Sequence, residues 1–323
     1  MIKTYFYNHE DKKMYHDVDL LRKGELLQNE RNLLWIDLYN CTVDELKFVG
    51  AIFDFHPLAI EDCLHDSPRS KVDNYDDYYF FVFHALRYDE ESEREITTEE
   101  LNVFLGKNYI VTVHQNPLQS IGRIAARSLR EPHYMDKGPD FLLYSIVDMI
   151  TDEYFPIMER ISTRIDELED EMYEHPAQEI TEEFLALKRT IVLIRRVIQP
   201  KKRIFANVGG RYSFEVQEDN VPYFIDLVDH LERISDSLEV FRDLVSGAME
   251  TYYSLVTART NDTMRVLTVI TTITATLTSV TGYFGMNVPL PSQQNPWSTV
   301  VVTLLLVGMT YGMLKYFRRK KWV

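Results

Sequence analysis

The sequence is poor in cysteine and lacks the motifs of several common protein classes. Cys41 and Cys63 are the only cysteines in 323 residues, so neither a disulfide framework nor a CxxC metal site is expected, and a reducing compartment is indicated. The first residues contain no apolar run, so no cleaved signal peptide is expected. No GxxxxGK[ST] motif occurs, so ATP coupling has no support.

Charge is absent from residues 266–314, a run of 49 consecutive uncharged positions. A membrane-spanning helix needs about 20 mostly apolar residues. The run holds two such segments, at 266–284 and 297–314, with a proline-rich turn at 288–296 between them. A buried helical hairpin of a soluble domain is the alternative, but soluble helices rarely lack charge for so long. The sequence therefore predicts two membrane spans.

Basic residues flank these two segments on the same predicted side. Arg259 and Arg265 precede the first segment, and five basic residues lie within the last nine positions. By the positive-inside rule, both termini are expected in the cytoplasm and the 288–296 loop outside.

The net charge of the whole chain is −15, which argues against a nucleic-acid partner because phosphate binding needs a basic surface.

The region before the membrane segments changes from an α/β pattern to a helical one. Strand-like runs occur in residues 1–135, with a turn at 106–108 that predicts a hairpin, and Thr42 with Glu45 forms a helix-opening capping box. The runs are at 33–37, 79–86, 102–105 and 109–113.

Three helices are predicted after this α/β region. The first covers 141–173, and the second covers 181–197 and ends before Pro200. The third begins near Pro222 and meets no further proline until Pro289. Continued to residue 284, it would be 63 residues and about 95 Å long, and it would enter the membrane directly.

Two periodic stripes mark the third helix. The first is an apolar heptad that predicts a long packed seam or a structural rod; it comprises Leu227, Leu231, Ile234, Leu238, Phe241, Val245, Ala248, Tyr252 and Leu255. The second lies in and before the threonine-rich membrane segment and comprises Asn261, Met264, Leu267, Thr271, Ala275, Thr278 and Gly282. We call this second stripe the small-residue face. In a ring of identical helices it would line a pore, and a helix–helix contact is equally consistent with the periodicity.

The first membrane segment ends in Gly285, Met286 and Asn287, which resembles the signature of the CorA family of divalent-cation transporters. Residues 261–268, 223–230 and 241–247 and the Lys-Lys-Trp-Val ending are also similar to stretches of that family. The likeness is dense over 220–323. The chain is thereby identified as a member of the CorA family. This resemblance favours the interpretation of the small-residue face as a pore wall over a helix–helix contact.

The resemblance implies a funnel-shaped homopentamer in which the first membrane helix lines the pore and the second packs outside it. The expected organisation is an α/β cytoplasmic domain followed by long helices that lead into two C-terminal spans. Its boundaries are 1–135 for the α/β domain, 136–265 for the helical region with the stalk, 266–287 for the pore helix, 288–296 for the external loop, 297–317 for the second span and 318–323 for the basic tail.

The resemblance also assigns roles along the pore. Gly285, Met286 and Asn287 are the expected selectivity filter, because Mg²⁺ keeps its water and an amide oxygen can accept hydrogen bonds from that water. Met264 and Leu267 resemble an apolar constriction that gates by dewetting. Because Thr271 and Ala275 are smaller than the bulky residues often found there, a short gate is expected. Asn261 marks the inner end of the pore.

A regulatory metal site is implied between subunits. Asp226 matches a metal-binding carboxylate of the family, and Asp89 is the expected partner from a neighbouring subunit, with Glu90 as the alternative. Residues 1–264 contain 29 basic and 50 acidic residues, a net charge of −21. Repulsion at this density would be relieved by bridging Mg²⁺. High cytosolic Mg²⁺ is therefore expected to hold the funnel closed.

These features predict a passive Mg²⁺ channel in a prokaryotic cell membrane rather than an enzyme, with Co²⁺ and Ni²⁺ as further ions and no organic cofactor. A zinc transporter, or an efflux protein, of the same family is the alternative. The loop at 288–298 lacks the acidic residue that many relatives carry, whereas 266–314 offers no His or Cys of the kind zinc favours. A membrane-tethered coiled-coil scaffold would explain the heptad but not the signature, and no nucleophile–base pair supports a membrane enzyme.

Overall fold

The chain is described over residues 1–88, 96–174, 178–206, 213–286 and 297–322 in a computed structural model. It divides into two compact units. Unit 1 contains Met1–Glu169 and Glu179–Ser246, and unit 2 contains Asp170–Gln178 and Gly247–Val323.

Unit 1 is built on a seven-stranded sheet with the order β2-β1-β3-β7-β6-β5-β4. Strands β3 and β7 are parallel, and every other neighbouring pair is antiparallel. The strands are β1 (Ile2–Asn8), β2 (Lys13–His16), β3 (Leu33–Tyr39), β4 (Lys71–Asn74), β5 (Tyr78–Tyr88), β6 (Ile96–Gly106) and β7 (Tyr109–His114).

Ten α-helices occur in the described residues. Two single 3₁₀ turns, Leu20–Arg22 and Glu218–Asn220, precede α1 and α9. The helices are α1 (Lys23–Leu26), α2 (Val43–Phe53), α3 (Pro57–Asp62), α4 (Gln119–Arg130), α5 (His133–Asp136), α6 (Pro139–Asp152), α7 (Tyr154–Glu174), α8 (Gln178–Phe205), α9 (Val221–Phe284) and α10 (Trp297–Arg319).

The central strands are buried on both faces, which explains why they appear in the sequence as continuous apolar runs. One face packs on a core that includes Leu46, Val49 and Phe53 of α2. Each predicted strand is confirmed as part of a longer strand. The hairpin predicted at 106–108 is also confirmed, because β6 and β7 pair antiparallel with Leu105 opposite Ile110. The capping box of Thr42 and Glu45 is present at the start of α2.

The single helix predicted over 141–173 is wrong, since the structure has two helices separated at Glu153. Pro156 explains the break. It has no backbone N–H to donate to the carbonyl of Asp152, and its ring would clash with that carbonyl in a continuous helix. Proline is tolerated in a first turn, so α7 begins at Tyr154.

The end predicted before Pro200 is also wrong, because α8 continues through this proline to Phe205. The residues that follow it are buried: Lys201 and Phe205 are 0% exposed and Ile204 is 6% exposed. Burial of the apolar side chains of Ile204 and Phe205 offsets the one backbone hydrogen bond that the proline removes.

Lys201 is an unusual member of this core because its ammonium is fully buried. Its Nζ donates to the hydroxyl of Tyr154 at 2.6 Å and to the carbonyl oxygen of His84 at 3.0 Å. Burial lowers the pKa of Lys201 from 10.5 to about 7. The unfolded chain therefore binds a proton more readily than the folded chain between pH 7 and 10.5, and stability should rise with pH across that window.

We expect Lys201→Met to stabilise the protein at pH 6.5 by about 2 kcal/mol, or roughly 4–8 °C in melting temperature, because it removes the cost of the buried charge. The gain should shrink as the pH rises towards 10.5, because wild-type Lys201 is neutral in the folded protein above about pH 7 and becomes neutral in the unfolded chain only near pH 10.5. Thermal unfolding of the purified protein at pH 6.5 and 9.5 measures this. A difference between variant and wild type that is equal at both pH values would contradict the assignment.

The long helix predicted from Pro222 is confirmed, because α9 runs without interruption from Val221 to Phe284. Its heptad residues are buried from Leu227 to Tyr252, and Leu255 is half-buried.

Helices α9 and α10 are long and apolar enough to cross a membrane. Only 6% of the apolar segment of α9 and 0% of that of α10 are buried. This exposure contradicts a soluble hairpin core and supports a membrane protein.

Candidate ion pathway and regulatory metal site

The small-residue face of α9 is exposed along its whole length. All seven of its residues, from Asn261 to Gly282, are exposed. The side chains of Met264 and Leu267 are 55% and 52% exposed. The sequence predicted that these residues share one face, and the continuous helix places them on it. In the membrane this face is free to meet copies of itself.

A different stripe of each membrane helix in unit 2 is covered. In α9 the covered or half-covered residues are Val269, Ile273, Thr276, Leu277 and Val280. In α10 they are Ser298, Val302, Leu306, Thr310, Met313 and Phe317. Such stripes are what two helices produce when they pack along one face. On α9 the covered stripe lies roughly half a helical turn from the small-residue face.

Four threonine hydroxyls of the membrane segment form hydrogen bonds within their own helix. The hydroxyls of Thr268, Thr271, Thr276 and Thr281 donate to the backbone carbonyl four residues earlier, at 2.7–2.9 Å. A hydroxyl bonded in this way adds little cost in lipid and leaves a small surface. These four threonines therefore keep the helix narrow without placing unpaired donors in the membrane.

Two of the three expected filter residues lie at the described end of α9. The backbone N–H of Gly285 donates to the carbonyl of Thr281 at 2.8 Å, and a Cβ at Gly285 would lie 3.1 Å from that oxygen. Glycine is therefore favoured by a close backbone approach. Met286 is 49% exposed. Asn287 and the loop at 288–296 lie outside the described residues.

Asp226, the expected regulatory carboxylate, is exposed on α9 and lies beside a polar cluster. Its Oδ2 is 3.9 Å from Nε2 of His230, and Nδ1 of His230 is 3.5 Å from Oδ1 of Asp148 on α6. Three ligand atoms lie within 4.8 Å of one another, one from each of Asp148, Asp152 and His230. We call these three residues the α6–α9 cluster. Its geometry suits a divalent cation that retains part of its water.

The electrostatics of the cluster favour a cation. Burial raises the pKa of Asp148, the charge of Asp152 adds to this effect and His230 opposes it. Burial also raises the pKa of Tyr144, as do the carboxylates of Asp148 and Asp226. Among the described residues, Oδ1 of Asp148 and Nδ1 of His230 are buried without a well-formed hydrogen bond. A bound cation would relieve the repulsion and give Asp148 a ligand bond.

Sequence reasoning missed the α6–α9 cluster, although a signal was present. Asp148 and Asp152 are four residues apart on α6, as are Asp226 and His230 on α9, so each pair shares one helix face. Only the packing of α6 against α9 shows that these two faces meet. Asp89, the predicted partner of Asp226, lies outside the described residues, as does Glu90.

Comparison with known proteins agrees with these features. The family described as CorA-like Mg²⁺ transporter protein matches residues 30–319. The chain is 33% identical to a cobalt/magnesium transport protein CorA of Thermotoga maritima over 90% of this chain and 83% of that protein. It is 26% identical to the cobalt/magnesium transport protein CorA of Methanocaldococcus jannaschii, over 93% and 94% of the two chains.

The fold is also that of a solved transporter. The complete structure of the CorA magnesium transporter from Methanocaldococcus jannaschii aligns with a TM-score of 0.85 at 23% identity, covering 100% of this chain and 99% of that one. The family match, the identity to the Thermotoga protein and the two apolar, exposed C-terminal helices lead to one conclusion. This chain is a membrane protein that belongs to the family of CorA-like Mg²⁺ transporter proteins.

Proposed function

We propose that this chain assembles into a homopentameric channel that conducts Mg²⁺ passively into the cell, with Co²⁺ and Ni²⁺ as further ions. The observation that carries the proposal is the exposed small-residue face of α9, which lies opposite the covered stripe of the same helix. A ring of five such helices would enclose a narrow, uncharged path. Two relatives named as cobalt/magnesium transport proteins support the choice of ion.

The proposed mechanism follows from the chemistry of Mg²⁺. The ion is small and hard and sheds water reluctantly, so it enters with coordinated water. Five Asn287 amide oxygens and nearby carbonyls accept hydrogen bonds from that water, and the absence of carboxylates at 288–298 keeps binding weak enough for release. Inward movement across 100 mV supplies roughly 4.6 kcal/mol for two charges, so no ATP is required.

Gating is assigned to the apolar ring below the filter and to metal between the cytoplasmic parts. Met264 and Leu267 from five subunits would exclude water when the ring narrows, which stops a hydrated ion. In the proposed closed state, cytosolic Mg²⁺ bridges Asp226 and Asp89 of neighbouring subunits. The α6–α9 cluster adds ligands beside Asp226. Loss of Mg²⁺ would leave the net charge of −21 on residues 1–264 of each subunit unscreened, and repulsion between subunits would loosen the ring.

The proposal is tested by ion flux into liposomes that contain the purified protein. We expect Mg²⁺ influx that rises with an inside-negative potential and needs no proton gradient, with Co²⁺ and Ni²⁺ also entering. The same vesicles are assayed with Zn²⁺ under an imposed proton gradient. Zinc movement that depends on that gradient, with no potential-driven Mg²⁺ influx, would instead support a zinc transporter of this family.

A further inference from the structure

Unit 1 contains a polar cavity of about 440 Å³ that the proposed ion pathway does not use. It lies between the β5–β7 part of the sheet, the loop that follows α3 and one face of α8. Its volume is within the range of sites for small organic ligands, and it is much larger than a single hydrated ion requires.

Asn102 lines the inner part of the cavity and carries a buried side-chain oxygen without a donor. Asn102 is 3% exposed, and its Nδ2 donates to Oε1 of Glu100 at 2.9 Å. Its Oδ1 has no hydrogen-bond partner among the described residues. Rotating the amide does not help, because it would set that oxygen against the Glu100 carboxylate. An unpartnered buried acceptor costs about 1–3 kcal/mol, so this end of the cavity favours a ligand that brings an N–H or O–H group.

Glu100 is held in place beside Asn102. Its Oε2 accepts the backbone N–H of Ser67 at 2.7 Å, and its carboxylate lies 3.8 Å from Nε2 of His84. Burial raises the pKa of Glu100. Two fixed acceptors, the Asn102 amide and the Glu100 carboxylate, thus line the inner end.

The outer part of the cavity presents two free cations. Arg69 from the loop and Arg196 from α8 both line it and are exposed. Neither forms an ion pair with any carboxylate in the described part of the chain. Of the acidic residues that also line the cavity, Glu99 is already paired with Arg87, and Asp66 remains on the rim. Two unpaired guanidinium groups are the usual partners of phosphate.

We propose that this cavity binds a nucleoside phosphate. The phosphate would lie between Arg69 and Arg196, and an exocyclic amino group of the base would donate to Oδ1 of Asn102. Leu64 and Pro68 of the loop and Leu193 and Val197 of α8 supply apolar surface for the flat ring. Such a ligand would join α8 to the sheet and stabilise the folded protein against unfolding.

The test uses the full-length detergent-solubilised protein and adenosine monophosphate. The buffer contains EDTA and no magnesium, so that chelation by the ligand cannot empty a metal site. We expect saturable binding by calorimetry and a higher melting temperature. Arg69→Gln and Arg196→Gln should each weaken binding about tenfold, since each removes a charge-assisted contact. Arg203→Gln, an exposed arginine on α8 outside the cavity lining, is the matched control and should bind as wild type does.

Ligand variants test the inner contact. Purine riboside monophosphate, which lacks the amino group, should bind about tenfold more weakly than adenosine monophosphate if that group satisfies Asn102. The proposal is overturned if adenosine monophosphate does not bind, or if both arginine variants bind it as tightly as the Arg203→Gln control. It is also overturned if inorganic phosphate, glucose 6-phosphate or citrate binds equally well. Ion flux is not measured, so failure here leaves the proposed channel function untouched.

Discussion

Asn287→Ala is expected to reduce Mg²⁺ flux in liposomes to the level of protein-free vesicles. The substitution removes five amide oxygens from the proposed filter and leaves methyl groups, which cannot accept hydrogen bonds from the water that Mg²⁺ retains. The preceding turn is unaltered, because Gly285 keeps its bond to Thr281. A fluorescent indicator of internal Mg²⁺ measures the initial rate.

Asn261→Ala is the matched control for this experiment. It deletes the same kind of side chain at the cytoplasmic end of the small-residue face, where the ion leaves the pore rather than enters it. We expect this control to retain Mg²⁺ flux. Both variants should elute at the oligomer position of wild type on size exclusion, which separates loss of conduction from loss of assembly. If Asn287→Ala conducts Mg²⁺ at the wild-type rate, the filter assignment is wrong.

The double substitution Asp89→Lys with Asp226→Lys should abolish the dependence of conduction on cytosolic Mg²⁺. In wild type, we expect millimolar Mg²⁺ on the cytoplasmic side to close the channel by bridging these carboxylates. Lysine removes both ligands and places positive charge where the cation would bind, so no concentration of Mg²⁺ should restore closure. Patch recordings at graded cytoplasmic Mg²⁺ measure the effect.

Asp229→Lys controls for charge in this experiment. Asp229 is exposed on the same helix, three residues from Asp226, so lysine there makes one of the two charge reversals at a carboxylate that is not assigned to the bridge. It should keep wild-type Mg²⁺ dependence. A second arm, Asp148→Asn with Asp152→Asn, tests the α6–α9 cluster and should shift closure to higher Mg²⁺ concentration. Unchanged Mg²⁺ dependence in the Asp89→Lys and Asp226→Lys double variant would refute the sensor.

The parts of the fold that sequence predicted well are those governed by local pattern. Strands β3, β5, β6 and β7 are buried on both faces and therefore appear as apolar runs. Strands β1, β2 and β4 were not predicted; β2 and β4 are short edge strands with little burial to leave a signal. The order of the strands, with β3 parallel to β7, follows from long-range pairing that no local window contains.

Two prolines show where local rules needed tertiary information. Pro156 breaks a helix that apolar periodicity suggested was continuous, and its position in the sequence was sufficient to predict this. Pro200 does not end α8, because the side chains after it enter the core. The same local cost led to different outcomes, and the burial available to the next turn of helix decided between them.

The sequence by itself determined that this chain has an acidic portion and an uncharged portion long enough for two membrane helices, because 49 consecutive uncharged residues are unsuited to a water-exposed surface. The exposure of α9 and α10 in the structure then excluded a buried hairpin. It also determined which residues share the small-residue face, since the period of a helix is fixed by its backbone. Only the tertiary structure brought Asp148 and Asp152 to His230, and Asn102 to Arg69 and Arg196. Those groups are far apart along the chain, and packing alone sets the distances between them.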